Sequence, residues 1–280
     1  MVGVTCVTNA TIVGFVVNIT TFAANIITKD MPADEINNKL LTHLSEKVVF
    51  TKDDILKYYI DNGIDISDEA IRIRIHRLKK KGIVCDVAKS KYIINNKSLY
   101  IPGPDKLIRK INKLFVSKYE NVDYCIWSTA WLANFMHHIP FSYFHLIETD
   151  KDVCESAFYH LKDNGINIYL EPDAKQIEKY VLPEDDSVMI RPIITRAPIK
   201  KEQNIRFASI EKILVDIFCD QDKFYLYSGR EQDWIFENIL DSYNINFSTL
   251  FAYAERRKRD KELREYLLKN FGNQVKDIIE

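Results

Sequence analysis

The sequence predicts an α+β protein of two domains, and three observations carry that prediction. An apolar pattern at helical spacing begins at Asp34 and marks three segments before residue 82, the second and third of them capped. Two short runs rich in Val, Ile and Tyr follow, at residues 83–87 and 91–94. Beyond a stretch holding Pro102, Gly103 and Pro104, helical and extended segments alternate and then give way to a helical tail.

Composition agrees with two separate cores. A chain of 280 residues with 46% hydrophobic content can bury two ordinary domains, and with only eight Gly and eight Pro it is not built of linkers or low-complexity repeats. The formal net charge of -1 hides local clustering, because Lys and Arg concentrate in residues 70–120 and again in 256–264. Five cysteines, Cys6, Cys85, Cys125, Cys154 and Cys219, are scattered without a Cys-x-x-Cys pair. That pattern suits a reducing, cytoplasmic compartment and small buried thiols better than a disulfide scaffold or a zinc ribbon.

Residues 1–28 carry no charged side chain, yet Thr and Asn interrupt the apolar run and no basic segment precedes it. A signal peptide is one reading of this stretch. The reading adopted is that Met31 is the native start and residues 1–30 are a non-native or flexible extension, with no membrane segment.

The first domain is expected over residues 31–100. Ile36, Leu40, Leu41 and Leu44 mark a helix over 34–46, and Val48-Val49-Phe50 a short extended stretch. Thr51 caps a second helix that stops at Asn62-Gly63. Ser67 caps a third, with Ile71, Ile75 and Leu78 as its inward stripe and Gly82 at its end. Residues 83–87 and 91–94, separated by Ala88-Lys89-Ser90, read as a hairpin. Helix, extended stretch, helix, helix, hairpin is the order of a winged helix-turn-helix.

At 100° per residue the third helix turns Glu69, Ile73, His76 and Lys80 away from its apolar stripe, flanked by Arg72, Arg77 and Lys79. A helix face dense in cations suits the major groove, where Lys and Arg neutralise phosphates and Arg pairs with guanine edges. Lys89 and Lys91 in the wing would reach the adjacent backbone. The expected DNA-binding set is therefore Arg72, Ile73, His76, Arg77, Lys79, Lys80, Lys89 and Lys91. A charge run alone also suits a merely solvated face; its position on the third helix favours double-stranded DNA.

The second domain, residues 101–280, is expected to be mixed α/β with a helical C-terminal subdomain. Helices are expected at 105–118, 128–137, 152–164 and 209–219, with a short one ending at Tyr180. Strands are expected at 144–148, 167–170 and 187–194, and the tail over 231–271 is expected to be helical throughout. No Gly-x-Gly-x-x-Gly, Walker loop, Gly-x-Ser-x-Gly or His-Glu-x-x-His occurs, so no catalytic residue, cofactor or metal site is assigned. Adjacent His137 and His138 suit metal binding poorly. Glu148, Asp150, Glu171 and Asp173 sit near strand ends, where a metal-dependent nuclease could place them, although turns and caps use the same residues.

Several segments together resemble a known family. A wing ending in Lys91-Tyr92-Ile93-Ile94, then Ile126-Trp127-Ser128-Thr129-Ala130-Trp131-Leu132, then Arg206-Phe207-Ala208-Ser209-Ile210-Glu211-Lys212-Ile213-Leu214-Val215-Asp216, is similar to the AbiE-type abortive-infection antitoxins over residues 34 to about 220. In that family a winged helix binds the operon's own promoter and the C-terminal domain counters a nucleotidyltransferase-type toxin. Ile210 stands where the family's Pro-Glu-Lys-Thr-Leu-Leu-Asp signature has Pro. The resemblance implies a non-enzymatic autoregulator and antitoxin, with Glu211, Lys212 and Asp216 near the partner surface. Helix 209–219 is also readable as simply core. The rival functions are a stand-alone winged-helix transcription factor with a ligand-sensing C-terminal domain, and a metal-dependent nuclease.

Overall fold

Capping chemistry sets the helices of the N-terminal region, as the computed structural model, which describes residues 33–279, shows. The expectation about residues 1–30 lies outside the described residues. The chain divides after Asn96 into two compact units.

In the first unit α1 (Ala33–Ser45) buries Leu40 and Leu44. The next helix, α2 (Lys52–Asp61), starts in a capping box: Thr51 Oγ1 accepts the Asp54 N–H, and the Asp54 carboxylate accepts the Thr51 N–H at 2.7 Å. Ser67 caps α3 (Asp68–Lys80) by accepting from Ala70 N at 3.2 Å. That helix ends where Gly82, at φ +71°, takes the left-handed conformation; its N–H reaches Lys79 O and the Ile83 N–H reaches Leu78 O. Strands β1 (Val84–Ala88) and β2 (Lys91–Ile94) pair antiparallel, and Phe50 exchanges both backbone hydrogen bonds with Tyr92. Ile71, Ile75 and Leu78 of α3 join Leu40, Leu44, Phe50, Ile55, Tyr59 and Val84 in one small core. The expected third-helix stripe is the buried one.

The second unit is built on a six-stranded mixed sheet in the order β5-β6-β4-β3-β8-β7. Its strands are β3 (Tyr124–Ser128), β4 (His145–Thr149), β5 (Ile168–Leu170), β6 (Val188–Pro192), β7 (Ile199–Glu202) and β8 (Ile205–Ala208). Central β3 and β4 pair antiparallel and are buried along their whole length, because helices cover both faces of the sheet. On one face α4 (Lys106–Lys118) and α5 (Lys151–Asp163) bring Ile111, Phe115, Ala157 and Leu161 against Ile126, Ile147, Ile190 and Phe207. On the other, Trp127, Leu146 and Met189 meet α6 (Ile210–Cys219), α7 (Arg230–Ser242), α8 (Phe247–Arg256) and α9 (Asp260–Ile279).

The α+β class is as expected, but several details differ. Residues 128–137 form a 3-10 segment, Thr129–Phe135, in place of a full helix. The tail is three helices rather than one, interrupted around Tyr243–Asn246 and at Lys258, whose φ is +58°. Strands β3, β7 and β8 carry no expectation from the sequence. Here β7 and β8 form a hairpin whose two-residue turn, Gln203-Asn204, has φ of +49° and +62° without any glycine. Among the described residues no helix is long and apolar enough to cross a membrane.

Candidate nucleic-acid interface and a buried ionic cluster

The Phe50–Tyr92 pairing brings the start of α2 beside the hairpin, and α3 closes the third side of a groove of about 670 Å³. Arg72, His76 and Lys79 of α3, Lys89 and Lys91 of the hairpin, and Lys52 of α2 line it, with Asp53 as the single carboxylate in the lining. The lining holds five cations and one acid, and Asp68 and Asp86 just outside it pair with three of those cations, so the groove is cationic but partly neutralised. Arg72 holds Asp68 one turn back at 3.0 Å, Lys52 pairs with the same Asp68, and Lys79 pairs with Asp86. These pairs are exposed, so they orient the cations at little cost and can exchange for other anions.

Of the eight DNA-binding residues expected from sequence, the fold gathers Arg72, His76, Lys79, Lys89 and Lys91 around this groove. Ile73, Arg77 and Lys80 lie exposed on α3 outside its lining, Ile73 at 45%. Sequence reasoning missed Lys52, which joins the site only through the Phe50–Tyr92 pairing. It also passed over Arg74, which is partly buried over the Tyr59 ring at 5.1 Å, where burial lowers its pKa.

The second unit treats charge differently. Glu148 of β4, Arg191 of β6, Lys212 and Asp216 of α6, and Asp220 and Arg257 just beyond α6 and α8 form one cluster of three cations and three anions. Arg191 Nε donates to Glu148 Oε1 at 2.7 Å and its Nη1 to Asp220 Oδ2 at 2.8 Å. Lys212 Nζ sits 2.5 Å from both Glu148 Oε2 and Asp216 Oδ2. Arg257 Nη1 and the Tyr253 hydroxyl each donate to Asp216 Oδ1 at 2.9 Å. Burial pushes the Glu148 carboxyl up, but Arg191 and Lys212 override it and hold it at about 2. Burial pulls the Lys212 ammonium down, but Asp216 and Glu148 hold its pKa well above the ordinary value.

This geometry corrects the expected placement of the partner residues. Glu211 is 6% exposed, while Lys212 and Asp216 are fully buried, so none of the three lies on a docking surface. Glu211 accepts from the Ser209 hydroxyl at 2.7 Å and the Asn246 N–H at 3.2 Å, tying the start of α6 to the start of α8. The physical reason is the helix itself: Ile210, Ile213, Leu214, Val215, Ile217 and Phe218 make α6 apolar nearly all round, and such a helix is interior. The carboxylates weighed for a nuclease are also separated by role. Glu148 is inside the cluster, Asp173 caps a helical turn in a capping box with Gln176, and Asp150 stands at the N-terminus of α5. Among the described residues no three His, Cys, Asp or Glu side chains converge as a metal ligand set. His137 stacks on Trp234 and His138 pairs with Glu231 at 2.5 Å. Burial raises the Cys125 thiol well above its ordinary pKa, away from a nucleophile's range.

Fold and site together define an α+β protein with a cationic helix-and-hairpin groove in one unit and a charge-balanced interior in the other. The chain belongs to DUF6577, a family of unknown function, whose model matches residues 70–273. No curated protein and no solved structure matches it.

Proposed function

We propose that the protein is a cytoplasmic winged-helix regulator that binds double-stranded DNA, its own promoter, and acts as an AbiE-type antitoxin against a nucleotidyltransferase-type toxin without catalysing a reaction itself. The observation that carries the DNA reading is the groove, where α3 and the hairpin converge with Arg72, His76, Lys79, Lys89 and Lys91. In this reading α3 enters the major groove, His76 and the exposed Ile73 face base edges, and the hairpin lysines follow the phosphates. Arg77 and Lys80 extend the phosphate footprint along α3. In this reading Glu148, Lys212 and Asp216, engaged in a buried charge-balanced cluster, hold the second unit together and do not meet the partner. With those side chains interior, a toxin would meet exposed anchors such as Ile139, Phe141 and Trp234, at 74%, 77% and 40% exposure.

The test is binding of the full chain to its own upstream region. Arg72→Ala together with Arg77→Ala should weaken the complex and lower the slope of log affinity against log salt by about 2, one unit for each lost phosphate contact. Both side chains are exposed, so the melting temperature should stay put. Unchanged affinity in the folded double variant would remove α3 from the interface.

A further inference from the structure

A second cationic site lies in the other unit. Beside α8 a cleft of about 770 Å³ opens between that helix and the loop that leads into β7. Arg196 and Pro198 form its loop wall; Arg256 and Lys258 stand at the C-terminal end of α8, and Ser248 and Thr249 at the N-terminal end. Arg196, Arg256 and Lys258 are exposed, and no carboxylate is paired with any of them among the described residues. That contrasts with Arg191 and Arg257 close by, each of which holds two or three carboxylate contacts. The one acid in the lining is Glu255.

We propose that this cleft binds a small molecule carrying a phosphomonoester. Three cations against one carboxylate leave two positive charges, which matches the charge of about -1.5 to -2 that a phosphomonoester carries at neutral pH. Two guanidinium groups suit the phosphate oxygens because each presents paired N–H donors in one plane. Ser248 and Thr249 add hydroxyls to the lining, and Pro198 and Ala252 add apolar surface. The volume falls within the usual range of about 300–1,000 Å³ for small-molecule sites. Tyr253 forms part of the wall while its hydroxyl donates inward to Asp216, and Arg257 follows on the same helix end. Occupancy therefore bears directly on the residues that lock α8 to the buried cluster.

Calorimetric titration of the full chain tests the assignment with three probes: inorganic phosphate, adenosine 5′-monophosphate and adenosine. The two phosphate-bearing probes should bind and raise the melting temperature, while adenosine should do neither. Binding of the nucleotide but not of free phosphate would assign the site to the whole phosphomonoester; equal binding of both would assign it to the phosphate group. Arg196→Gln and Arg256→Gln should each weaken binding about tenfold, as expected for loss of a charge-assisted pair, and Glu255→Gln should tighten it. An absence of heat and melting shift from both phosphate probes at about 10 mM, a concentration that exposes even weak sites, would overturn the proposal. Loss of bound nucleotide on adding a short DNA duplex, with the three variants changing DNA affinity instead, would reassign the cleft to the nucleic-acid backbone.

Discussion

The groove between α3 and the hairpin and the cluster beneath α6 draw on the same residue types, Lys, Arg and Asp, under opposite solvation. In the groove, Arg72, Lys79 and Lys89 are exposed, and the contacts of Arg72 to Asp68 and of Lys79 to Asp86 are local and open to water. In the cluster, Arg191, Lys212 and Arg257 face Glu148, Asp216 and Asp220 at the same count, and Lys212 and Asp216 have no exposed surface. Charge left in water is paired loosely and can exchange one partner for another. Charge taken out of water must be matched on the spot, because an unpaired buried ion costs several kcal/mol. The difference teaches that burial, rather than charge, separates an exchangeable ionic contact from a fold-holding one.

The strongest way to break this comparison is to unbalance the cluster. Lys212→Met leaves Glu148 and Asp216 short of a cation and should destabilise the second unit by about 3–5 kcal/mol. All three tryptophans, Trp127, Trp131 and Trp234, belong to that unit, so tryptophan fluorescence in a urea titration of the full chain reports it alone. Adding Glu148→Gln removes one negative charge and should recover part of the loss. A cost below about 1 kcal/mol for Lys212→Met, the range of an exposed pair, would show that the cluster is solvated after all.

Acid should act on the same unit with a smaller effect. The Glu148 carboxyl is held at about 2 in the folded protein against an ordinary value of 4.5, and Asp220 is also lowered, by Arg191 and Arg257 working against burial. A group lowered in the folded state contributes its stability fully above the ordinary value and loses it as pH falls through the folded value. The tryptophan-reported unfolding free energy should therefore hold from pH 7 to about 5 and decline between about 4.5 and 2. Glu148→Gln should start from lower stability at pH 7 and flatten that decline. A wild-type profile flat to pH 2 would contradict the assigned pairing.

How far the sequence reveals each region follows from where its determinants lie along the chain. The helix α3 was legible because its apolar stripe, its Ser67 cap and its Gly82 stop sit within sixteen consecutive positions, and the same spacing identified its outward cations. Lys52 was not, since one pairing between Phe50 and Tyr92, far apart along the sequence, places it. Helix α6 was legible as a helix, but Asp216 finds Arg191 and Arg257 at separations of 25 and 41 residues, and no local pattern announces such partners. A signal for its burial was present in the apolar residues surrounding Lys212 and Asp216 on every side. Strand β3 escaped because a strand buried on both faces loses its alternation, and the β7–β8 hairpin because its turn uses Gln203-Asn204 where a glycine would have marked it.

The smallest expected effect tests the groove's side of the comparison most finely. Lys89 sits exposed in the turn between β1 and β2, on the rim of the groove opposite α3. Its removal takes away no buried contact, so Lys89→Ala should change stability by no more than about 0.5 kcal/mol. If the hairpin follows the phosphate backbone, the same change should lower the salt slope of DNA binding by about 1 and weaken binding evenly across DNA sequences, because phosphate contacts carry no base information. A loss confined to one preferred sequence would instead place Lys89 at a base edge. An unchanged slope would detach the turn between β1 and β2 from the phosphate backbone.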